Sequence, residues 1–491
     1  MMPAQETKNT SSSRDTLHEQ YAKYFAGLII IVACFLFLFH VGRGAFRDYD
    51  EAAYADAFRV TEASGDLMTM RRFENPWFDK PPLYFWSAIA IEKVIPDKEF
   101  AYRLPSALSG ILSIILTMLI VYTAAESYLA ASIAGGVALT SPMFLYAGRQ
   151  LRMDVPVTAA ILFTIFSFLK GLKDERWYAG VGVGIALGIM MKSVIGLLPL
   201  GFIAIFAFIH RNTSFFKSVY LWIGIAAMFV IAAPWHIYES VKFGSVFWDS
   251  YLFHLVIQRV GENILGGIAP PSNSVEYFNI LLTWAQPWTT LFVLFIPVVW
   301  WMYRKGETVR DTFVFLLFPI GVLCIFLLAK TKLGYYLMPI YPFIAIFVAL
   351  TTYWLFQRIR KRALRITALV VGVVLFIGGF ANTIYVGYNY ADNEQLIANE
   401  ERNLGAFLNA NPAPKLVYTY YWDYWDTIWY YGNGRVIQQM KDGQPIDSSF
   451  FLVMHSGYTY HFPPWFSSRL DVVYKGAAMT VYKFTYTPPR K

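Results

Sequence analysis

Eleven stretches of this chain run for sixteen to twenty-five residues with almost no charge inside them. They fall at about 22–41, 104–124, 128–147, 155–170, 177–192, 194–210, 217–238, 280–303, 311–330, 334–356 and 364–388. A straight helix needs about 20 apolar residues to cross the hydrocarbon of a bilayer. The series therefore predicts an all-α polytopic membrane protein of about eleven transmembrane helices. The runs 177–192 and 194–210 are short and meet at Lys192-Ser193, so they read either as two helices or as one broken or re-entrant unit.

Composition agrees. Of 491 residues, 56% are hydrophobic and 15% charged, against about 25% charged in soluble proteins. Such a chain cannot cover itself with polar surface, which excludes a string of soluble domains. The net charge of +8 fits cytoplasmic loops and contact with acidic lipid rather than nucleic acid. Cys34 and Cys324 lie inside apolar runs and form neither a disulfide pair nor a metal-binding spacing. Residues 1–21 read as a polar cytoplasmic tail without a cleavable signal.

Basic residues then orient the chain. With the N-terminus inside, Lys170, Lys173, Arg176, Arg211, Lys217, Arg304, Lys305, Arg310 and the cluster from Arg358 to Arg365 all fall in inner loops, as the positive-inside rule requires. Residues 22–388 are expected to form a transmembrane region with outer loops at 42–103 and 239–279. The tail 389–491 then lies outside as a small extracytoplasmic α/β domain. Its signals are a polar helix near 393–410 and strand-like runs at 416–420, 449–454, 470–474 and 479–485. Tyr421, Trp422 and Trp425 suit either packing within that domain or the membrane interface.

The informative charges break the orientation rule. Lys192, Lys330 and Lys332 stand at outer helix ends, as do Arg149 and Arg152 beside Asp154. Charge near the hydrocarbon boundary marks a functional site by default. A single lysine there can simply snorkel to the headgroups, but several on one face favour an anion site. The first outer loop supplies acids in Asp48, Asp50 and Glu51, of which Asp48 reads as solvated. Further on, Asn75-Pro76-Trp77-Phe78-Asp79-Lys80-Pro81-Pro82 presents Lys80 on a proline-stiffened corner. The apolar stretch 83–94 is too short to span and reads as an interfacial helix. Asp154, two residues before Pro156, is either a cap of the next helix or a site acid. None of the seven histidines has metal-ligand spacing, and His254 reads as structural. Lysines of this kind bind a phosphate carried by a membrane lipid, and an acid removes a proton from an acceptor hydroxyl.

These residues resemble motifs of the C-superfamily membrane glycosyltransferases, in the bacterial branch that includes the lipid A aminoarabinose transferase and relatives of the protein O-mannosyltransferases. The resemblance is carried by Asp50-Glu51, by Phe78-Asp79-Lys80-Pro81-Pro82, by the segment from Arg149 to Pro156, by Pro234-Trp235, and by Lys330-Thr331-Lys332-Leu333-Gly334-Tyr335-Tyr336-Leu337-Met338-Pro339. It covers residues 22–356 and not the tail. It implies an inverting enzyme that moves a sugar from a polyprenyl monophosphate, such as undecaprenyl phosphate, to a hydroxyl or phosphate of a lipid or protein acceptor. The reaction would take place at the outer face of the bacterial cytoplasmic membrane. Asp50 matches the family's catalytic acid, with Glu51 beside it, and Asp154 matches the second acid. Lys80 matches the phosphate-binding lysine, Tyr336 or Tyr335 the tyrosine near the donor phosphate, and Lys330, Lys332, Arg149 and Arg152 join that set as expected phosphate contacts. The branch implies no metal and no other cofactor. One departure stands out: the arginine often found three residues after the first acid is Ala53 here.

Other classes fit less well. A transporter or flippase would show internal repeats and charges near the midplane. A ligase of the same superfamily would use a pyrophosphate-linked glycan. A non-catalytic scaffold would leave the clustered outer lysines and acids without a role.

Overall fold

A computed structural model of the chain describes residues 12–73, 75–262, 274–305, 310–387, 392–419, 426–434, 437–440, 446–456 and 462–487. Among the described residues, eight helical stretches are long and apolar enough to cross a membrane. Two bent pairs raise the number to ten: Tyr128–Leu139 with Pro142–Gly148, at 71°, and Ser274–Trp284 with Trp288–Arg304, at 104°. Pro142 and Pro287 stand at the two breaks. Proline disfavours the helical region for the residue before it, and Ser141 is accordingly extended.

The count is thus below the eleven expected, and the difference lies in Glu175–His210, a single 36-residue stretch by length. That stretch turns back on itself at Lys192-Ser193. Ser193 has a φ of 55°, and a Cβ on Gly188 would lie 2.8 Å from the Cα of Gly196, although eight residues of straight helix span about 12 Å. Lys192 reaches Asp154 at the start of the helix Asp154–Gly171. On the other arm, Phe206 packs on Phe168 near that helix's end, with ring centroids 5.2 Å apart. The two arms therefore run up and down, and the eleven segments read from sequence correspond to ten stretches of which one is doubled.

Contacts divide the chain into two compact units. The first takes the described residues up to Val41, then Phe78–Ala88 and Arg103–Gly387. Small residues set its closest packing. A Cβ on Gly182, in the helix Ala179–Lys192, would collide with the carbonyl of Gly224 in the helix Val219–Phe243. Close backbone approach of this kind substitutes for the hydrophobic drive that lipid does not supply. Phe37 fills a notch floored by Gly110 and Gly148 and is fully buried. Ser109, Ser113 and Thr117 each donate to the carbonyl four residues back, at 2.7, 2.8 and 2.7 Å, so their hydroxyls need no water.

The second unit takes Gly42–Trp77, Ile89–Tyr102 and the described part of the tail. Most of the first outer loop therefore groups with the tail, a different division from the one expected between 22–388 and 389–491. Its sheet has five strands. The central strand Phe450–His455 pairs in parallel with Leu416–Thr419 and antiparallel with Met479–Phe484. Ile437–Gln439 and Leu470–Lys475 form the edges. Side chains alternate between faces along a strand, and both faces are covered. Val417, Phe451, Val453, Met479 and Val481 pack with Leu404 and Leu408 of the helix Asp392–Ala410, while Phe450, Leu452, Met454 and Phe484 pack with Phe466. The expected helix and strands of the tail are found there. Tyr421, Trp422 and Trp425 lie outside the described residues.

Candidate functional site

In the first unit the helix Asp154–Gly171 begins with the acid that the sequence left between two roles. Its N-cap is Met153, with no side-chain cap bond, so Asp154 is not spent on capping. Instead Lys192, at the turn between the two arms, donates to Asp154 Oδ1, and Arg152 donates from Nε to Oδ2 at 3.3 Å. Only 15% of the Lys192 side chain and 6% of the Asp154 side chain are exposed, so water screens this pair weakly. Lys80 adds to the positive field at Asp154.

Two phenols extend the network. The short 3-10 turn Gly334–Leu337 presents Tyr335 and Tyr336 to different cations. The Arg152 guanidinium lies 3.2 Å from the centroid of the Tyr335 ring, whose hydroxyl donates to Gln150 Oε1 at 3.4 Å. Tyr336 takes a hydrogen bond from Arg259 at 2.8 Å, and the Lys192 ammonium sits 5.3 Å from its ring centroid. The turn is anchored from behind by Tyr277, whose hydroxyl donates to the Leu333 carbonyl at 2.8 Å and accepts from the Leu333 N–H at 2.9 Å. Lys192, Arg152 and Lys80 thus gather about one buried carboxylate, and the two tyrosines link Arg259 and Gln150 to the same set. Such an assembly suits a phosphate, which takes several charge-assisted hydrogen bonds at once.

Of the expected phosphate contacts, Arg149 and Lys332 bond carbonyls at helix ends, and Lys330 is exposed. Arg149 donates from Nη2 to the Phe39 carbonyl at 2.8 Å and from Nη1 to Leu36, closing the end of the first helix. Lys332 donates to the carbonyls of Leu327, at 3.2 Å, and Ala329. It thereby satisfies the C-terminal end of Arg310–Leu328, where carbonyls lack helical partners and a cation is favoured. Lys330 is exposed; its backbone N–H bonds to the Val260 carbonyl at 3.2 Å, beside a matching bond of 3.0 Å from Thr331 to the Arg259 carbonyl. That pairing fixes the backbone carrying Arg259 against the segment that leads to the tyrosines.

In the second unit Asp50 and Glu51 open the helix Asp50–Ser64, both in its first turn, where acids complement the helix dipole. Asp50 is half-buried. Glu51 is 2% exposed and accepts from the Arg47 N–H at 3.1 Å, so it ties down the loop before the helix. Asp48 corrects an expectation, since it is not a solvated acid. Its Oδ1 accepts from the Thr427 N–H at 2.6 Å and hydroxyl at 2.8 Å, which caps the helix Asp426–Tyr431 from a distant part of the chain. Burial, and next the neighbouring Asp426 carboxylate, push the Asp48 carboxyl up to about 6, against the opposing pull of the Thr427 bonds. Asp426 is held by Arg72 and is itself raised by burial. His254 Nδ1 lies 2.5 Å from Gln258 Oε1, one turn along its own helix. Among the described residues, no group of three or more His, Cys, Asp or Glu is placed to hold a metal.

Comparison with known proteins bears on this arrangement. Residues 79–238 match the family described as dolichyl-phosphate-mannose-protein mannosyltransferase. Undecaprenyl phosphate-alpha-4-amino-4-deoxy-L-arabinose arabinosyl transferase of Yersinia pestis is 26% identical over 74% of this chain and 64% of its own length. Over these stretches the chain is similar to membrane glycosyltransferases that work from a lipid phosphate. The fold agrees: the chain is similar to ArnT from Cupriavidus metallidurans in its crystal structure bound to undecaprenyl phosphate, with a TM-score of 0.69 at 19% identity. That similarity covers 93% of this chain and 97% of the other. An uncharacterized protein of Aquifex aeolicus is 21% identical over 74% of this chain and 70% of its own. The match spans less than two thirds of the Yersinia transferase.

The C-superfamily resemblance read from the sequence located Asp154, Arg152, Lys80 and the tyrosine pair, which the structure joins in one unit, and Asp50 with Glu51, which it places in the other. It missed Arg259, Gln150 and Tyr277. Lys192 was conspicuous as a charge between two apolar runs, yet nothing in the sequence named its partner. Arg259 had no such signal, because a lone arginine in the loop 239–279 looks like any solvated charge.

Proposed function

We propose that this chain is an inverting glycosyltransferase that takes its sugar from a polyprenyl monophosphate. The acceptor oxygen attacks the anomeric carbon as the bond from that carbon to the phosphate oxygen breaks, and the polyprenyl phosphate departs with the electron pair. Asp50 is the base that receives the acceptor's proton, on the strength of its match to the family acid; Glu51 orients its loop. Lys80, Arg152, Lys192 and Arg259, with Tyr336, meet the growing charge on the phosphate, and Asp154 holds two of those cations in place. Preorganised donors of this sort stabilise charge that develops in the transition state. Because protein cations meet that charge, the reading includes no metal.

The observation that carries the proposal is the linked set from Arg259 through Tyr336, Lys192 and Asp154 to Arg152 and Tyr335. The names of the relatives make undecaprenyl phosphate the first carrier to try, and a lipid A-type glycolipid, another glycolipid or a protein the acceptors. Basic loops on one side support a site facing outward from the bacterial cytoplasmic membrane. The doubled stretch 175–210 supports it too, because an up-and-down pair adds no net crossing and leaves the tail opposite the N-terminus.

The test is binding of undecaprenyl phosphate against undecaprenol, the same lipid without the phosphate, to purified protein. The proposal expects the phosphate form to bind at least a hundredfold tighter, about 2.7 kcal/mol. Equal binding would remove phosphate recognition from the account.

A further inference from the structure

The proposed reaction uses one end of the helix Asp154–Gly171. At the other end, about 22 Å along the helix from Asp154 to Leu169, the first unit holds a cavity of about 470 Å³. Leu169, Phe206 and Phe315 form part of its apolar wall, and its rim carries Glu126, Lys173, His210 and Asp311. The rim groups come from the ends of four different helical stretches, so the fold gathers them at one place.

The rim carries groups of both signs. Lys173 Nζ lies 2.5 Å from Glu126 Oε1, and His210 Nε2 lies 3.0 Å from Asp311 Oδ1. The side chains of Glu126, Lys173 and Asp311 are 72%, 58% and 50% exposed. Exposed ion pairs are worth little, so each can exchange its partner for a ligand group at small cost. His210 is steadied from behind by its ring stacking on Phe206, with centroids 4.1 Å apart. A purely anionic headgroup would meet two carboxylates here. A purely cationic one would meet Lys173. An apolar wall under charges of both signs matches an amphiphile whose head carries one charge of each sign, and the volume falls in the range of about 300–1,000 Å³ usual for ligand cavities.

We propose that this cavity binds a zwitterionic aminophospholipid. Its ammonium sits on Glu126 and Asp311, its phosphate on Lys173 and the His210 ring, and part of an acyl chain lies along Leu169, Phe206 and Phe315. This site is separate from the donor site and does not depend on the proposed reaction.

The experiment is thermal unfolding of the purified full-length protein in detergent, with added phosphatidylethanolamine, phosphatidylglycerol or soluble glycerophosphoethanolamine. A ligand that binds the folded state raises the midpoint as its concentration rises. Phosphatidylethanolamine should give a saturable rise that phosphatidylglycerol at equal mole fraction does not. The soluble headgroup should give none, and a rise from it would overturn the assignment to a lipid. The double variant Glu126→Gln with Asp311→Asn should lose the response at least tenfold in effective concentration. Leu172→Trp, which crowds the cavity from its exposed lining, should block the response if the double variant fails to fold. Equal responses to both lipids, no response to either, or wild-type responses in the variants would overturn the proposal.

Discussion

Replacing Lys192 by methionine tests how the buried network works. The substitution keeps most of the side-chain volume and removes the charge from a pair of which little is exposed. Breaking a buried pair by deleting one partner costs about 3–5 kcal/mol, because the other charge is left stranded. Here Arg152 stays on the second oxygen of Asp154 at 3.3 Å, so the cost to folding should sit near the lower end, about 3 kcal/mol. Donor affinity should fall as well, since Lys192 also faces the Tyr336 ring. Truncating one member of a buried charge contact costs about 2–5 kcal/mol, which corresponds to about 30-fold to about 5,000-fold in affinity. With three other cations left in place, the expected loss is about 30- to 300-fold. The assay is titration of undecaprenyl phosphate into purified variants at fixed salt, beside thermal unfolding of the same samples. Lys192→Arg should keep most of the affinity. The double variant Lys192→Met with Asp154→Asn should regain stability, because no carboxylate is stranded, but not donor binding. If Lys192→Met binds the donor within threefold of the parent, Lys192 merely neutralises Asp154, and phosphate recognition belongs to Lys80 and Arg259.

Other outcomes follow from individual contacts. Asp50→Asn should lower turnover by about 10²–10⁴-fold, the usual worth of a general base, while donor affinity in the same membranes stays within a few-fold; unchanged turnover would pass the role elsewhere. Arg149→Ala and Lys332→Ala should leave donor affinity alone and lower thermal stability, each losing a helix-end contact worth about 0.3–1 kcal/mol; a large affinity loss in either would return it to the phosphate site. Asp48 has its folded pKa raised to about 6 from 3.8, so its stabilising effect is full below the unfolded value and is lost as pH rises through about 6. Glu401 is raised too, mainly by burial and then by Asp48, so it acts in the same direction. Hydrogen-exchange protection of Asp426–Tyr431, corrected for intrinsic rates, should therefore increase from pH 7 to pH 5, and Asp48→Asn should flatten part of that change.

Much of this architecture was legible because lipid allows so few solutions. Long apolar runs must be helices, and their charges must sit at the ends or be paired. The strand Phe450–His455 was equally plain as a short, continuous apolar run of the kind a strand buried on both faces shows. What escaped was long-range pairing. Lys332 and Lys192 look alike in sequence, each a lysine at an outer helix end, yet one closes its own helix and the other reaches Asp154 thirty-eight residues away. Asp48 looked solvated because nothing near it in sequence could bury it; its cover, Thr427, is 379 residues distant. The break at Lys192-Ser193 was legible as the meeting of two short apolar runs, but whether the chain reverses there was left open, since Gly188 and Gly196 permit a close approach without requiring it.

Sugar transfer itself is the claim on which the account turns. Purified protein incubated with a radiolabelled polyprenyl-phosphate sugar, with and without lipid A-type, glycolipid or protein acceptors, should move label to an acceptor or slowly release free sugar. The chemistry requires inversion at the anomeric carbon, and Asp50→Asn should slow the transfer by about 10²–10⁴-fold, the worth of a general base. Label that stays on the carrier under every condition, in protein that still binds the carrier, would contradict the account and return the chain to the class of lipid-binding transporters.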